Sequence, residues 1–100
     1  MEKSAYFGVY CRRWGIPLID GGTVRLPRII GEGRAMDIVL TGRKVSSEES
    51  YKIGLCEYLV EDGKSLEFAE ALALNLSNLP QSCMRSDMIS TSEQNGVSIK

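Results

Sequence analysis

Two short β-prone runs, residues 5–11 (AYFGVYC) and 55–60 (LCEYLV), stand far apart in a chain whose other patterned segments are all helical. Two isolated strands do not make an independently stable sheet, which needs three or more strands or a packed partner. This is the strongest constraint on the fold. It predicts an α/β arrangement in which these 100 residues belong to a larger body. The first run mixes aromatic, aliphatic and small side chains, and predicts a strand buried on both faces or nearly so.

Helical signals fill the rest. Residues 12–22 form a loop punctuated by Gly15, Pro17, Gly21 and Gly22. Its apolar members Ile16, Leu18 and Ile19 imply that it is pressed against a core, a ligand or another subunit. Residues 23–30 predict a short helix with Thr23 as N-cap, Pro27 in its first turn and Gly31 as its stop. A second helix is predicted over 33–40, closed by Thr41-Gly42. Ser46 followed by Glu49 is a capping box, and Gly54 sits where a left-handed C-terminal residue is wanted. After a turn at Glu61-Asp62-Gly63, residues 64–79 carry an apolar stripe of Leu66, Ala69, Leu72, Ala73, Leu76 and Leu79. Pro80 then opens a further short helix over 81–89. Residues 90–100 (STSEQNGVSIK) are polar and without periodicity, and are expected to form a disordered tail.

Chemistry is narrowed by what the chain lacks. It contains no histidine, which removes Ser-His-Asp and Cys-His catalysis and histidine metal sites. Its three cysteines, Cys11, Cys56 and Cys83, include no CxxC, so neither a disulfide framework nor a zinc site is expected, and no metal is assigned. A net charge of -1 predicts no bulk attraction to nucleic acid or to an anionic membrane, and no apolar run is long enough to span a bilayer. No secretory leader is expected from MEKSAYFGVY. Acid/base work is left to Asp, Glu, Lys, Tyr or Cys.

Several motifs fall in one order: Phe7-Gly8; Gly15-Ile16-Pro17; Gly21-Gly22-Thr23-Val24-Arg25-Leu26-Pro27-Arg28-Ile29-Ile30-Gly31; Ala35-Met36-Asp37-Ile38-Val39-Leu40-Thr41-Gly42; Val45-Ser46-Ser47-Glu48-Glu49-Ser50; and Gly54-Leu55. Together they resemble the second half of the crotonase superfamily of enoyl-CoA hydratases and isomerases, over about residues 6–88. The run from Cys11 to Gly22 is similar to a sub-group of predicted hydratases. The resemblance implies an α/β, partial crotonase spiral fold, namely the last core strands plus the C-terminal helices, over residues 1–89. It implies subunits packed as trimers or hexamers, and acyl-CoA thioester substrates, with coenzyme A as part of the substrate and no separate cofactor.

The family's shared device is a pair of backbone N–H groups that holds the thioester enolate. That pair, and the first hydratase glutamate, are placed by the resemblance outside these residues, so the chain taken alone is expected to be inactive or nearly so. At the position of the second glutamate stands Cys11, and a thiol cannot replace a carboxylate that orients water. Asp20, three residues before Thr23, matches the offset of the catalytic aspartate in the related dienoyl-CoA isomerases. It is the candidate acid/base, with Ile16, Leu18 and Ile19 expected to desolvate it. Taken from the residues alone, Asp20 before Gly-Gly reads first as ordinary turn chemistry, and the family offset is what favours catalysis. Trp14, Ile16, Pro17, Leu18, Gly21 and Gly22 are the candidate substrate-binding residues, although Trp14 also reads as core and the two glycines also read as turn residues. Arg25 or Arg28 is expected to pair with Glu32 or Asp37. The alternative to an enzyme is a non-catalytic, truncated subunit that associates with full-length chains. The compartment stays open between cytoplasm and mitochondrial matrix.

Overall fold

A computed structural model of the chain describes residues 1–96 and 98. The elements run β1 (Tyr6–Gly8), a 3-10 turn (Tyr10–Trp14), α1 (Gly22–Ile30), α2 (Glu32–Thr41), β2 (Lys44–Ser46), α3 (Ser47–Lys52), α4 (Ser65–Ser77) and α5 (Gln81–Glu93). They divide into two compact units, residues 1–65 and 66–100.

The first unit is built around Val45, which is completely enclosed at 0% exposure. β2 pairs antiparallel with β1, Val45 opposite Phe7, Tyr6 opposite Ser46 and Gly8 opposite Lys44. Ile30, Ala35 and Ile38 join Val45 in the core, and Val9, Leu26, Ile53 and Leu55 pack against it. The core therefore lies where α1, α2 and β2 meet. β1 is shorter and more exposed than its sequence predicts, with Tyr6 and Phe7 both open to solvent. The strand gives way to the 3-10 turn because the Tyr10 ring folds back over Gly8, into the space a Cβ there would need. Arg13 stacks on that ring at 3.9 Å, and its Nε donates to the Gly42 carbonyl at 2.9 Å, which ties the turn to the end of α2.

Local signals set most helix ends. Gly42 closes α2 at φ 60°, and its N–H donates to Ile38. Ser46 caps α3, its hydroxyl accepting from the Glu49 N–H at 3.2 Å. Gly54 follows α3 with φ 81°, in the left-handed region that glycine tolerates. The other half of the capping box is absent, because Glu49 turns to Arg43 instead. Arg43 donates to both Glu49 oxygens at 2.8 and 2.6 Å and to Asp37 at 3.0 and 2.7 Å, joining α2 to α3. The expected pairing of Arg25 or Arg28 with Asp37 is thus corrected: Arg43 takes that carboxylate.

α1 also starts differently from the expectation. Gly21, at φ 90°, is the N-cap rather than Thr23, and its carbonyl accepts from Val24 and Arg25 at 3.1 and 2.9 Å. Pro27 consequently lies past the first turn, where its ring nitrogen has no proton for the carbonyl four residues back.

Residues 55–60 are not a strand. The N–H groups of Leu55 and Cys56 both donate to the Ser50 carbonyl, closing α3 rather than entering a ladder. Only Val60 bridges, in parallel, to Glu2. The N-terminal segment is held along this stretch. Lys3 N–H donates to Val60 and Val60 N–H to Met1, both at 3.0 Å, and the Ser47 hydroxyl donates to the Lys3 carbonyl at 2.6 Å. Glu2 accepts from the Ser65 hydroxyl at 2.6 Å, the largest influence keeping its carboxyl below the ordinary value.

In the second unit the apolar stripe of α4 is largely exposed, Leu66 at 69%, and only Leu72 is half-buried. α5 extends to Glu93, so the expected tail does not begin at Ser90. Of the remainder of that tail, Val97, Ile99 and Lys100 lie outside the described residues.

Three predictions rest on this packing. Ile38→Ala should cost about 2–5 kcal/mol by leaving a cavity, and Ser46→Ala about 1 kcal/mol by uncapping α3. Both are read from the urea midpoint. The third concerns acid. The hydrogen bonds from Arg43 hold the Glu49 carboxyl below the usual carboxylate range. A depressed carboxylate contributes stability that is complete above its unfolded value and is lost as the pH falls through the folded one. Urea unfolding measured from about pH 6 to about pH 3 should show that loss, and Glu49→Gln should remove its share of the slope.

Candidate functional site

The loop from Gly15 to Gly22 carries the predicted site residues and is shaped mainly by backbone contacts. Gly15, at φ 65°, ends the 3-10 turn, and its N–H and that of Ile16 return to the Cys11 carbonyl. Cys11 itself is half-buried in that turn. At the far end the side chain of Leu18 lies on Gly22, where an added Cβ would stand 2.8 Å from its Cδ2. The Arg25 guanidinium covers Gly21, and Nη1 donates to the Asp20 carbonyl at 3.1 Å. Leu18, Asp20, Gly21 and Gly22 are thereby gathered at the start of α1. The two glycines serve turn geometry here, one through its positive φ and one through the close approach of Leu18.

The apolar cage expected around Asp20 is not formed among the described residues. Asp20 is exposed, Ile16 and Ile19 are 55% and 80% exposed, and Pro17 also faces solvent. Only Leu18 turns inward, drawn by the bare face of Gly22. Trp14 is likewise open at 77%, which corrects its reading as core.

An apolar cavity of about 420 Å³ opens instead between α1 and α2, lined by Thr23, Pro27, Glu32, Ala35, Met36 and Val39. None of the predicted substrate-binding residues lines it. The sequence carried a signal for this hollow: Ala35, Met36 and Val39 share one face of α2 with Glu32, while Thr23 and Pro27 stand one turn apart on α1. A broader depression of about 740 Å³ runs along α5 from Ser82 to Gln94 and holds none of the candidate residues. Among the described residues no three His, Cys, Asp or Glu side chains are placed to hold a metal ion. No helix among them is long and apolar enough to cross a membrane.

The sequence of residues 1–94 matches the model of a known family: enoyl-CoA hydratase/isomerase. The chain belongs to the enoyl-CoA hydratase/isomerase family. The match extends past both expected limits, Tyr6 and Met88. An enoyl-CoA isomerase/hydratase from Zymoseptoria tritici is 63% identical over 61 residues, covering 61% of this chain and 20% of that protein. An enoyl-CoA hydratase from Mycobacterium tuberculosis is 36% identical over 88 residues, 84% of this chain and 33% of that protein. The crystal structure of an enoyl-CoA hydratase from Bacillus anthracis superimposes with a TM-score of 0.91 at 32% identity, over 97% of this chain and 38% of that one. The fold is therefore part of the crotonase fold, and the chain spans between a fifth and two fifths of the length of these relatives.

The glycines of the family segment separate by function under substitution. Gly21→Ala should lose about 1–2 kcal/mol to left-handed strain. Gly33→Ala, in a helix with open space around it, should gain about 0.5–1 kcal/mol. Thermal or urea unfolding of the two variants, side by side, reads both signs.

Proposed function

We propose that this chain supplies the C-terminal portion of an enoyl-CoA hydratase/isomerase subunit that acts on unsaturated acyl-CoA thioesters by stabilising an enolate. Family membership across residues 1–94 is the observation that carries the reading. In this scheme the thioester oxygen takes up negative charge against two backbone N–H groups contributed by the other half of the subunit. Asp20 removes a proton from the carbon next to the thioester carbonyl and returns it two carbons along, converting a 3-enoyl to a 2-enoyl thioester. One bond order moves, one proton is transferred twice, and no oxidant or metal is needed. Cys11, at the offset of the second hydratase glutamate, disfavours two-carboxylate hydration and so favours the isomerase. Trp14, Ile16, Pro17 and Leu18, with the backbone at Gly21 and Gly22, would flank the acyl chain once the remainder of the subunit covers this loop. Coenzyme A enters as part of the substrate, and the assembled subunits form trimers or hexamers.

A second reading has support of its own. Trp14, Ile16 and Ile19 form an exposed apolar run, and a chain with that surface could associate with full-length subunits without catalysing anything.

The test is turnover of crotonyl-CoA and of a 3-enoyl-CoA by the purified chain, beside Asp20→Asn. Absence of turnover from either is expected of an incomplete site. Turnover that Asp20→Asn abolishes would establish the acid/base and overturn the incompleteness. In a longer subunit containing this segment, Asp20→Asn should lower kcat by about 10²–10⁴. An unchanged kcat there would remove Asp20 from the mechanism. Co-elution of the chain with that longer subunit, without any gain in activity, would favour the second reading.

A further inference from the structure

We infer that Arg25 is a positioning residue that holds the backbone turn from which Asp20 projects its carboxylate, an inference that rests on the acid/base reading of Asp20. Arg25 contacts the Asp20-Gly21 dipeptide at both carbonyls. Its backbone N–H donates to Gly21 at 2.9 Å, and its guanidinium Nη1 donates to Asp20 at 3.1 Å. The guanidinium also lies flat against Gly21, whose added Cβ would stand 3.2–3.3 Å from the Arg25 Cζ, Nη1 and Nη2 atoms.

Two acceptors one residue apart, held by two donors of a single residue five positions on, leave little rotation about the peptide that joins them. The direction of the Asp20 carbonyl sets the plane of the peptide following Asp20, and with it the orientation of its Cα–Cβ bond. Gly21, at φ 90° and ψ 3°, has the freest backbone in this turn, so without a clasp the Asp20 end would move about it. Among the described residues nothing else holds Asp20 from the side: Ile19 and Asp20 are exposed, and Leu18 is spent on Gly22. The hydrogen bond is charge-assisted, and an arginine fork suits it better than a point-charge lysine. Misplacing an acid/base by about 1 Å costs on the order of 10²-fold in rate, so a turn-holding arginine has a function beyond helix stability.

The experiment is backbone 15N relaxation of the full 100-residue chain with Arg25→Ala and Arg25→Lys. In the unaltered chain, Asp20 and Gly21 should have order parameters near those of rigid backbone, about 0.85. In Arg25→Ala they should fall toward 0.6 or below, while the amides of Val24 to Ile30 stay rigid, and Arg25→Lys should fall between. Unchanged order at Asp20 and Gly21 overturns the inference. Order lost along the whole of α1 also overturns it, because Arg25 would then serve only the helix; should Arg25→Ala fail to fold, Arg25→Lys decides by the same reading. In a longer, active subunit the same variants should lower kcat about tenfold or more with KM held within about twofold, and a change confined to KM counts against it. Asp20→Asn run alongside separates the two proposals. If it leaves kcat unchanged, the acid/base reading fails, and Arg25 is then judged on the order parameters alone.

Discussion

The enclosure of Val45 is the constraint on which the first unit depends. Side chains alternate across a strand, so a slip of one residue in the β1–β2 register would turn Val45 to solvent and bring Lys44 or Ser46 into the core. Burying a side chain of this kind is worth about 1.5–3 kcal/mol, and a one-residue slip forfeits it. The few residues around Val45 also carry the other junctions. Gly42 ends α2, Arg43 clasps Asp37 and Glu49, and Ser46 caps α3. One short segment therefore fixes the angle between two helices and the place of the strand that pairs with β1.

From that anchor the loop bearing Asp20 is positioned at second hand. Arg13 binds the 3-10 turn to the Gly42 carbonyl, so the near end of the loop is tied to the end of α2. The far end enters α1 through Gly21, and α1 packs its Ile30 into the same core as Val45. Both ends are fixed while the middle, Ile16 to Ile19, stays largely open to solvent. This is the usual division in a site built on a scaffold: rigid supports and an exposed connecting segment.

What was legible in the sequence was local. Glycine punctuation at Gly31, Gly42, Gly54 and Gly63 marks real breaks, all four at positive φ beside helix ends or turns. Ser46 was recognisable as a cap because its partner is three residues away. The non-local features were missed. β2 is only Lys44–Ser46, too short to show a period, and it exists because β1 lies opposite it. The supposed strand at residues 55–60 had the right composition, but Leu55 and Cys56 had their N–H groups drawn to the Ser50 carbonyl. Composition reports what a side chain tolerates; it does not report which carbonyl reaches the amide first. The Arg43 clasp was hidden for the same reason. Its partners lie six residues away on either side, a spacing at which side chains of one continuous helix or strand do not touch.

The candidate site divides along the same line. The family motif placed Asp20 before the helix, and the structure leaves it there, at a glycine N-cap; the expectation that failed concerned its surroundings. Ile16 and Ile19 were expected to desolvate the carboxylate, an inference that needs side chains to turn toward one another. In the first unit they turn outward, and the contacts that define the turn are made by Arg25 to carbonyl oxygens and by Leu18 to Gly22. Carbonyl direction and glycine clearance are set by the chain itself, whereas the polarity around a carboxylate depends on whatever covers it. A family motif can accordingly fix where a candidate residue stands in a turn, while the polarity around its side chain is left to whatever packs over that turn.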